Sequence, residues 1–194
     1  MSELAMHEID MLKENLAERA AAEGLIDVSY RLVDSPVGQL LLAATERGIV
    51  RVAFDSEDFD AVLGSLAQKV GVRVLHRAAP LDAAATQLDE YFAHSRTGFE
   101  LGLDHRLSSG YRLEVQLALP RIAYGHTASY KEMAALTGRP AAVRAVGTAC
   151  ATNPLPILVP CHRVLRSDGS LGGYLGGLDA KRVLLALEQD PSGN

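Results

Sequence analysis

Residues 153–164, with the sequence NPLPILVPCHRV, restrict the fold of this chain more than any other segment. Three of the seven residues from 154 to 160 are prolines. Because proline fixes its own φ and has no N–H, the segment is expected to follow an extended path rather than a helix. It leads to Cys161, which His162 follows directly. A histidine neighbour can lower the pKa of a thiol from about 8.5 and create a nucleophile, although a bare Cys-His pair is more often structural.

The composition indicates an ordinary globular protein. Of the 194 residues, 48% are hydrophobic and 22% are charged, which suits one domain or two small ones. No apolar run approaches the roughly 20 residues of a membrane span, and the acidic start of the chain does not look like a secretory signal. Two cysteines do not make a disulfide framework. We therefore expect a cytoplasmic protein that does not bind membranes.

The charge is distributed unevenly along the chain. The net charge is −5, but residues 1–110 hold 10 Lys and Arg against 18 Asp and Glu, giving −8. Residues 111–194 hold 9 against 6, giving +3, and this half carries Cys161. A phosphate-facing surface needs such a positive excess. An excess this small permits DNA binding without establishing it.

Hydrophobic periodicity predicts strands and helices together in the N-terminal half. A helical pattern over residues 2–23, which Gly24 would end, indicates a first helix with a structural or packing role. Its apolar positions are Ile9, Leu12, Leu16 and Ala20. Three β-type runs separated by turn-like segments then predict an antiparallel meander, followed by helices, a short strand and a linker. The predicted strands are 28–33, 39–44, 48–54 and 72–75, the helices are 58–70 and 80–95, and the linker is 96–110.

The C-terminal half is predicted to be mostly helical. Ser129 and Glu132 form a capping box, so a helix is expected from Ser129 to Thr137. Pro140 begins a second helix that extends to about Ala151, and the two short helices indicate a helix-turn-helix. A helix over 111–119, a turn over 167–170 and a last helix from Asp179 complete this half.

The pentapeptide PCHRV at 160–164, together with its surroundings, resembles the methylated-DNA–protein-cysteine methyltransferases, also called O6-alkylguanine-DNA alkyltransferases. Residues 142–147, 172–177 and 181–188 are similar to that family's DNA-recognition helix, lid loop and last helix, and the resemblance covers roughly residues 28–188. It implies an α/β fold in two domains, and the helix predicted before residue 28 lies outside the resemblance, so the expected chain has three parts. These are an N-terminal helical extension (1–27), a ribonuclease-H-like domain with a small antiparallel sheet (28–107), and a mostly helical, winged-helix-like DNA-binding and catalytic domain (108–190).

The resemblance also implies the chemistry. Cys161 would accept the alkyl group and keep it, while His162 draws off the thiol proton through a water. Glu188 would orient the imidazole, and Tyr130 would donate a proton to the extruded base. Without the resemblance, Glu188 would be interpreted as a solvated carboxylate and Tyr130 as a helix-packing residue. Thiolate suits this displacement, and the base must be flipped out of the stack to reach it. The residues expected to line the substrate pocket are Pro156, Val164, Tyr174 and Leu175.

Docking in the minor groove is a further implication of the resemblance. Arg144 on the second short helix would fill the hole left by the flipped nucleotide. The small residues Ala145 and Gly147 would allow a close approach to DNA, and Asn153 would bridge the helix pair to the cysteine loop. Basic residues that flank these elements are expected to contact phosphates; they are Lys131, Arg139 and Arg163. The sequence departs from the family at core or helix-packing positions, which are Tyr111, Gln116, Pro120, Ala123 and His126.

The predicted function is direct repair of O6-alkylguanine, and more weakly of O4-methylthymine, in double-stranded DNA by irreversible, single-turnover transfer to Cys161. We expect a monomer that needs no cofactor. We also expect no metal, because no cysteine precedes Cys150 and the histidines show no ligand spacing. The alternative is a non-catalytic protein that binds alkylated bases and flags them for other repair pathways, against which Cys161 argues. A Cys-His hydrolase would need an oxyanion-hole motif, and a plain helix-turn-helix regulator would leave PCHRV unexplained.

Overall fold

The computed structural model describes residues 3–189, and it divides into a mixed α/β part and a helical part. The helices are α1 (Glu3–Ala22), α2 (Phe59–Lys69), α3 (Asp82–Phe92), α4 (Gly110–Ala118), α5 (Tyr130–Leu136), α6 (Val143–Ala151) and α7 (Gly177–Gln189). The strands are β1 (Val28–Val33), β2 (Leu40–Thr45), β3 (Gly48–Phe54), β4 (Val74–His76), β5 (Ala128–Ser129) and β6 (Val164–Leu165). The predicted α/β class is confirmed.

The N-terminal sheet has the strand order β3-β2-β1-β4. The predicted antiparallel meander of β1, β2 and β3 is confirmed, but β4 pairs parallel to β1, with Val28 opposite Val74. The sheet is therefore mixed, and the expectation of a purely antiparallel sheet is wrong. Strand β2 is buried on both faces because its side chains alternate between two clusters. Leu40 and Leu42 join the cluster shared with α3, whereas Leu41 and Ala43 pack with α2.

The first helix packs differently from its prediction. The side chains of Leu12 and Leu16 are 68% and 65% exposed, whereas Ala17 is buried. Glu18 on the same helix accepts two hydrogen bonds from Arg77, at 3.0 and 3.1 Å. Of the two remaining predicted apolar positions, Ala20 is half-buried, and the side chain of Ile9 lies outside the described residues. Among the side chains of this helix that the structure describes, the buried Ala17 and the Glu18–Arg77 ion pair attach it, whereas Leu12 and Leu16 do not.

The segment predicted as a linker is bound to the sheet. Ile49 N donates to Gly102 O at 2.8 Å, and Asp104 N donates to Ile49 O at 2.8 Å. Gly48 has φ +130°, and a Cβ there would lie 2.2 Å from Gly102 O, so only glycine fits this crossing. Asp104 is buried and accepts a hydrogen bond from Thr45 Oγ1 at 2.6 Å. The connection therefore fixes the two parts of the chain together instead of separating them.

The C-terminal part packs α4, α5 and α6 together, and one short strand pair links them to the cysteine loop. The capping box is confirmed: Ser129 N donates to Glu132 Oε2 at 2.6 Å, and Glu132 N donates to Ser129 Oγ at 3.1 Å. Helix α6 begins at Val143 rather than at Pro140. Strand β6 follows the cysteine and pairs in parallel with β5, so the start of α5 is held beside the loop.

One apolar cluster joins the two parts of the molecule. It contains Phe54 and Leu88 from the N-terminal part and Val115, Leu155 and Leu184 from the C-terminal part. The cysteine loop lies within this cluster, so both parts contribute to its surroundings. Within residues 3–189, none of the helices is both long enough and apolar enough to cross a membrane.

Candidate active site

The cysteine loop is non-helical from Asn153 to Pro160, as the prolines predict, and every residue in it is buried. Hydrogen bonds from Val159 N to Leu155 O and from Cys161 N to Val159 O, both 2.8 Å long, hold it in shape. Ile157 adopts φ +72°, a conformation that β-branched residues rarely take, so the buried contacts around the loop impose it. The loop delivers Cys161 into the interior, where only 2% of the residue is exposed.

The thiol of Cys161 is held by the side chain of Asn153. The Asn153 Nδ2 donates to Cys161 Sγ at 3.2 Å and to Val159 O at 2.9 Å, while its Oδ1 accepts from Leu155 N at 3.1 Å. Burial raises the pKa of Cys161 to about 11, and the Asn153 hydrogen bond and the charge of Lys181 oppose that rise. The adjacent histidine therefore does not lower the thiol pKa in this structure, because the desolvation of the thiolate outweighs both favourable neighbours.

His162 is fully buried and bound to Glu188. Its Nε2 lies 2.8 Å from Glu188 Oε1. Since the carboxylate can only accept, Nε2 carries the proton and Nδ1 is left with its lone pair. Nδ1 has no hydrogen-bond partner among the side chains and backbone of residues 3–189. Burial lowers the pKa of His162 against the opposing effect of Glu188, so the imidazole is neutral and Nδ1 can accept a proton.

The carboxylate of Glu188 is saturated with donors. Arg163 Nε and Nη2 each lie 2.9 Å from one of its oxygens, Tyr91 Oη donates at 2.6 Å, and Gly125 N donates at 3.3 Å. Burial alone would raise the pKa of Glu188, but the hydrogen bonds from His162 and Arg163 outweigh it and lower the pKa to about 2. Glu188 therefore stays ionised and orients the imidazole.

Arg163 does not lie where a phosphate contact requires it. Its side chain is buried; Nη1 donates to Ile122 O at 2.7 Å, while the other guanidinium nitrogens bind Glu188. The prediction that Arg163 contacts DNA is wrong, because its charge is already neutralised inside the protein. Asn153 is likewise interior, so its grouping with the DNA-contacting residues is wrong, whereas its predicted place as a bridge to the cysteine loop is what the hydrogen bonds describe.

Lys181 is a buried charge that the sequence analysis did not assign to the site. It is fully buried, and its Nζ donates to Val164 O at 2.7 Å. Burial lowers the pKa of Lys181, while the neighbouring thiols Cys161 and Cys150 act in the opposite direction. The signal was present in the spacing, because Lys181, Leu184 and Glu188 fall on one face of α7 and all three are buried.

The segment 172–177, which resembles the family's lid loop, contains Tyr174 and contacts Tyr130 on α5. Gly172 approaches Tyr130 so closely that a Cβ would lie 2.1 Å from the Tyr130 hydroxyl. Tyr174 packs edge-on against Phe54 at 5.6 Å between ring centroids, and within the described residues its hydroxyl has no partner. Burial raises the pKa of Tyr130, and so does the proximity of the Cys150 and Cys161 thiols. Tyr130 therefore keeps its proton, as a hydrogen-bond donor must.

The remaining residues predicted for the pocket separate into two places. Val164 and Pro156 are buried, the first directly after the Cys161 turn and the second inside the cysteine loop. Leu175 instead lines a cleft of about 470 Å³ that it shares with Pro154 and α2. The structure thus brings Val164 and Tyr174 towards the thiol, and it places Leu175 at the junction of the two parts.

The helix pair presents the predicted DNA-facing residues. Arg144 and Ala145 are exposed on α6, Gly147 is half-buried, and Lys131 is exposed on α5. Arg139 is exposed as well, with its guanidinium 4.5 Å from the ring centroid of Tyr111 and 3.3 Å from Glu114.

The family departures are accommodated locally. Tyr111 Oη lies 2.7 Å from Thr137 Oγ1, and Gln116 Nε2 donates to Ala149 O at 3.0 Å. The buried Gln116 Oε1 has no partner within residues 3–189. His126 is exposed, with Nδ1 3.0 Å from Tyr124 O. In the same part of the chain, no group of three or more His, Cys, Asp or Glu side chains could hold a metal ion.

The fold and the site together define a class of protein. A helix pair with an exposed arginine is joined to a buried thiol that has a neutral histidine beside it, as a DNA-binding protein that reacts through cysteine requires. Residues 28–105 match the family "6-O-methylguanine DNA methyltransferase, ribonuclease-like domain", and residues 111–190 match its "DNA binding domain". The chain belongs to this methylated-DNA–protein-cysteine methyltransferase family.

Named relatives agree with that membership. The methylated-DNA–protein-cysteine methyltransferase of Methanosarcina barkeri is 38% identical over 83% of this chain and 97% of its own length. The one from Mycolicibacterium paratuberculosis is 41% identical over 84% of this chain and 93% of its own. The crystal structure of Mycobacterium tuberculosis O6-methylguanine methyltransferase superposes with a TM-score of 0.75 at 37% identity, covering 85% and 94% of the two chains. A DNA complex from the same organism gives 0.73 at 38% identity, covering 84% and 94%.

Proposed function

We propose that this protein repairs O6-alkylguanine in double-stranded DNA, and more weakly O4-methylthymine, by transferring the alkyl group irreversibly to Cys161. Family membership supports alkyl transfer to a protein cysteine and DNA as the partner. Cys161 is assigned as the acceptor because the imidazole of the next residue, His162, is neutral and held in one orientation by Glu188. His162 Nε2 is bound to Glu188, so Nδ1 is the one ring atom that can take a proton.

The reaction is a displacement at the alkyl carbon. The thiol proton of Cys161 passes to His162 Nδ1, through a water, and the thiolate forms a bond to the carbon as the bond to O6 breaks. The electron pair stays on the guanine, and Tyr130 supplies the proton that neutralises the base before recovering one from solvent. His162 returns its proton to solvent. The thioether on Cys161 is stable, so each molecule repairs one lesion.

Access to the thiol requires the lid to move. Cys161 is 2% exposed, and Tyr130 is in contact with Gly172. A flipped base must therefore part the lid from Tyr130 while the duplex bears an unstacking cost of a few kcal/mol. Arg144, exposed on α6, fills the gap in the stack, while Ala145 and Gly147 let the helix approach the minor groove. The protein acts as a monomer.

The phosphate contacts come from the basic face of the helix pair. Lys131 and Arg139 are exposed there, whereas residues 1–110 carry a net charge of −8 and face away from the duplex. Affinity then falls with salt in proportion to the phosphates neutralised. Replacing Lys131 by Ala reduces the slope of log affinity against log salt by about one unit. Charge reversals in the acidic half leave that slope unchanged.

Mass spectrometry after mixing with excess methylated duplex tests the function. The expected result is one methyl per protein, located on the peptide that contains Cys161, after which the protein is inactive. Cys161→Ser should lose transfer and still bind DNA, and Cys150→Ser is the matched control that should transfer normally. Several turnovers per protein, or a methyl on Cys150, would refute the proposal.

A further inference from the structure

Tyr91 is a fully buried tyrosine of the N-terminal part whose hydroxyl binds the C-terminal part. It lies near the end of α3, and its hydroxyl donates a hydrogen bond of 2.6 Å to Oε1 of Glu188 on α7. The same oxygen is the partner of His162 Nε2, at 2.8 Å. A side chain from one part of the molecule therefore touches the atom that holds the imidazole in the other.

The ring of Tyr91 is fixed by aromatic neighbours. Its centroid lies 5.4 Å from that of Phe92, 5.2 Å from that of Phe99 and 6.0 Å from that of Tyr124. Contacts at these distances leave the ring little freedom to rotate away. The direction of the hydroxyl is therefore set by packing rather than by the hydrogen bond alone.

The hydroxyl is a permanent donor. Burial raises the pKa of Tyr91, and the negative charge of Glu188 raises it further, so the phenol does not ionise near neutral pH. Oε1 of Glu188 also accepts from Arg163, through Nη2 at 2.9 Å and Nε at 3.2 Å. Donors that share one carboxylate oxygen compete for its charge, so Tyr91 competes with His162 there beside a constant contribution from Arg163. Tyr91 therefore limits how strongly Glu188 attracts the proton on His162 Nε2, and it restrains the position of that oxygen at the same time.

We propose that Tyr91 is a positioning residue for alkyl transfer, which sets the geometry and strength of the Glu188–His162 hydrogen bond and so keeps His162 Nδ1 free to accept the thiol proton. This inference rests on the proposed function, in which His162 is the proton acceptor. It also gives the N-terminal part of the chain a role in the reaction. Through Tyr91, that part reaches the proton relay without touching the substrate.

The other charged groups around His162 do not change with Tyr91. Glu188 stabilises the imidazolium, whereas the charges of Arg163 and Lys181 oppose it, and the ring of Tyr174 lies edge-on at 6.4 Å. Removing the Tyr91 hydroxyl returns charge to Glu188 Oε1. The imidazolium is then better stabilised, and the pKa of His162 rises.

Tyr91→Phe tests the proposal with Tyr124→Phe as the matched control. Both changes keep a ring of the same aromatic cluster, but the Tyr124 hydroxyl donates to Leu187 O at 3.3 Å rather than to Glu188. Two quantities are measured: the pH dependence of single-turnover transfer, and the pKa of His162 in free, ¹⁵N-histidine-labelled protein by NMR. Tyr91→Phe should move the acidic limb and the His162 pKa upward by about half a unit. It should also lower the plateau rate about tenfold, because the base is held less firmly.

A fluorinated tyrosine at position 91 provides a test of opposite sign. Its hydroxyl is a stronger donor, so the acidic limb and the His162 pKa should move downward. Unchanged values in Tyr91→Phe, or equal shifts in Tyr124→Phe, would overturn the positioning role. The NMR measurement uses no DNA, so it separates the two proposals. The unmodified protein could fail to transfer an alkyl group while the His162 pKa still responds to Tyr91. That result would refute the proposed function but would support the effect of Tyr91 on the Glu188–His162 hydrogen bond.

Discussion

Replacing Glu188 by Gln should remove a large share of the stability of this protein. Glutamine keeps the volume of the side chain but takes away the negative charge that neutralises Arg163. Both side chains are buried, with Glu188 3% exposed and Arg163 7% exposed. Breaking a buried pair by removing one partner leaves an uncompensated charge, which costs about 3–5 kcal/mol.

The pKa of Glu188 gives a second route to the same magnitude. It falls from 4.5 to about 2 in the folded protein. At about 1.4 kcal/mol per unit, a shift of this size corresponds to about 3 kcal/mol of stability. Because the folded pKa is the lower one, this contribution is fully present above pH 4.5 and is lost as the pH falls towards 2.

Urea unfolding at pH 7 measures the loss, with Glu114→Gln as the control. Glu114 forms a surface pair with Arg139, and the two side chains are 51% and 55% exposed. Such a pair contributes about 0–1 kcal/mol. If Glu188→Gln costs no more than Glu114→Gln, or if ¹³C NMR finds the Glu188 carboxyl titrating near its ordinary value, the electrostatic reasoning is wrong.

Three further changes test the lid, the helix pair and the Asn153 bridge to the cysteine loop. Gly172→Ala should slow transfer while the protein stays folded, because a Cβ there would lie 2.1 Å from the Tyr130 hydroxyl. Gly173→Ala is the control and should transfer at the normal rate, because nothing lies within 4 Å of a Cβ at that position. Equal rates for the two variants would contradict the lid contact. Arg144→Ala should slow repair in duplex more than in single strands, where less stacking is broken, and equal losses would count against gap filling. Asn153→Ala should lower the free energy of unfolding by about 1–3 kcal/mol, since it leaves the buried Leu155 N unpaired, whereas Val159 O keeps its hydrogen bond from Cys161 N. It should also slow labelling of the acceptor thiol by iodoacetamide, and unchanged labelling would argue against the Asn153 contact.

Local chemistry made parts of this structure predictable. The capping box at Ser129 and Glu132 and the extended approach to Cys161 depend on neighbouring residues, so the sequence predicts them directly. The start of α6 was missed by three residues because Pro140 is compatible with a turn as well as with a first helical turn.

Long-range contacts explain what the sequence could not predict. Arg163 looks like an exposed base beside the active site, but Glu188, 25 residues further along, draws it into the interior. The segment 96–110 has the composition of a linker, yet its backbone pairs with β3. Tyr91 shows no local signal for its role, because its partner is 97 residues away. Only Lys181 carried a usable signal, in its spacing from Leu184 and Glu188.

The burial of Cys161 has a consequence for a residue that reacts only once. Because burial raises the pKa of Cys161 to about 11, the thiol is protonated at pH 7, whereas the thiolate is the reactive form. Stray electrophiles therefore meet a covered, protonated thiol. Asn153 and Lys181 favour the thiolate and burial opposes it, so the balance at Cys161 depends on how far the thiol is desolvated. In the proposed reaction, the alkylated base reaches this thiol only after Tyr130 parts from Gly172, so the same contact that covers Cys161 also decides when it can react.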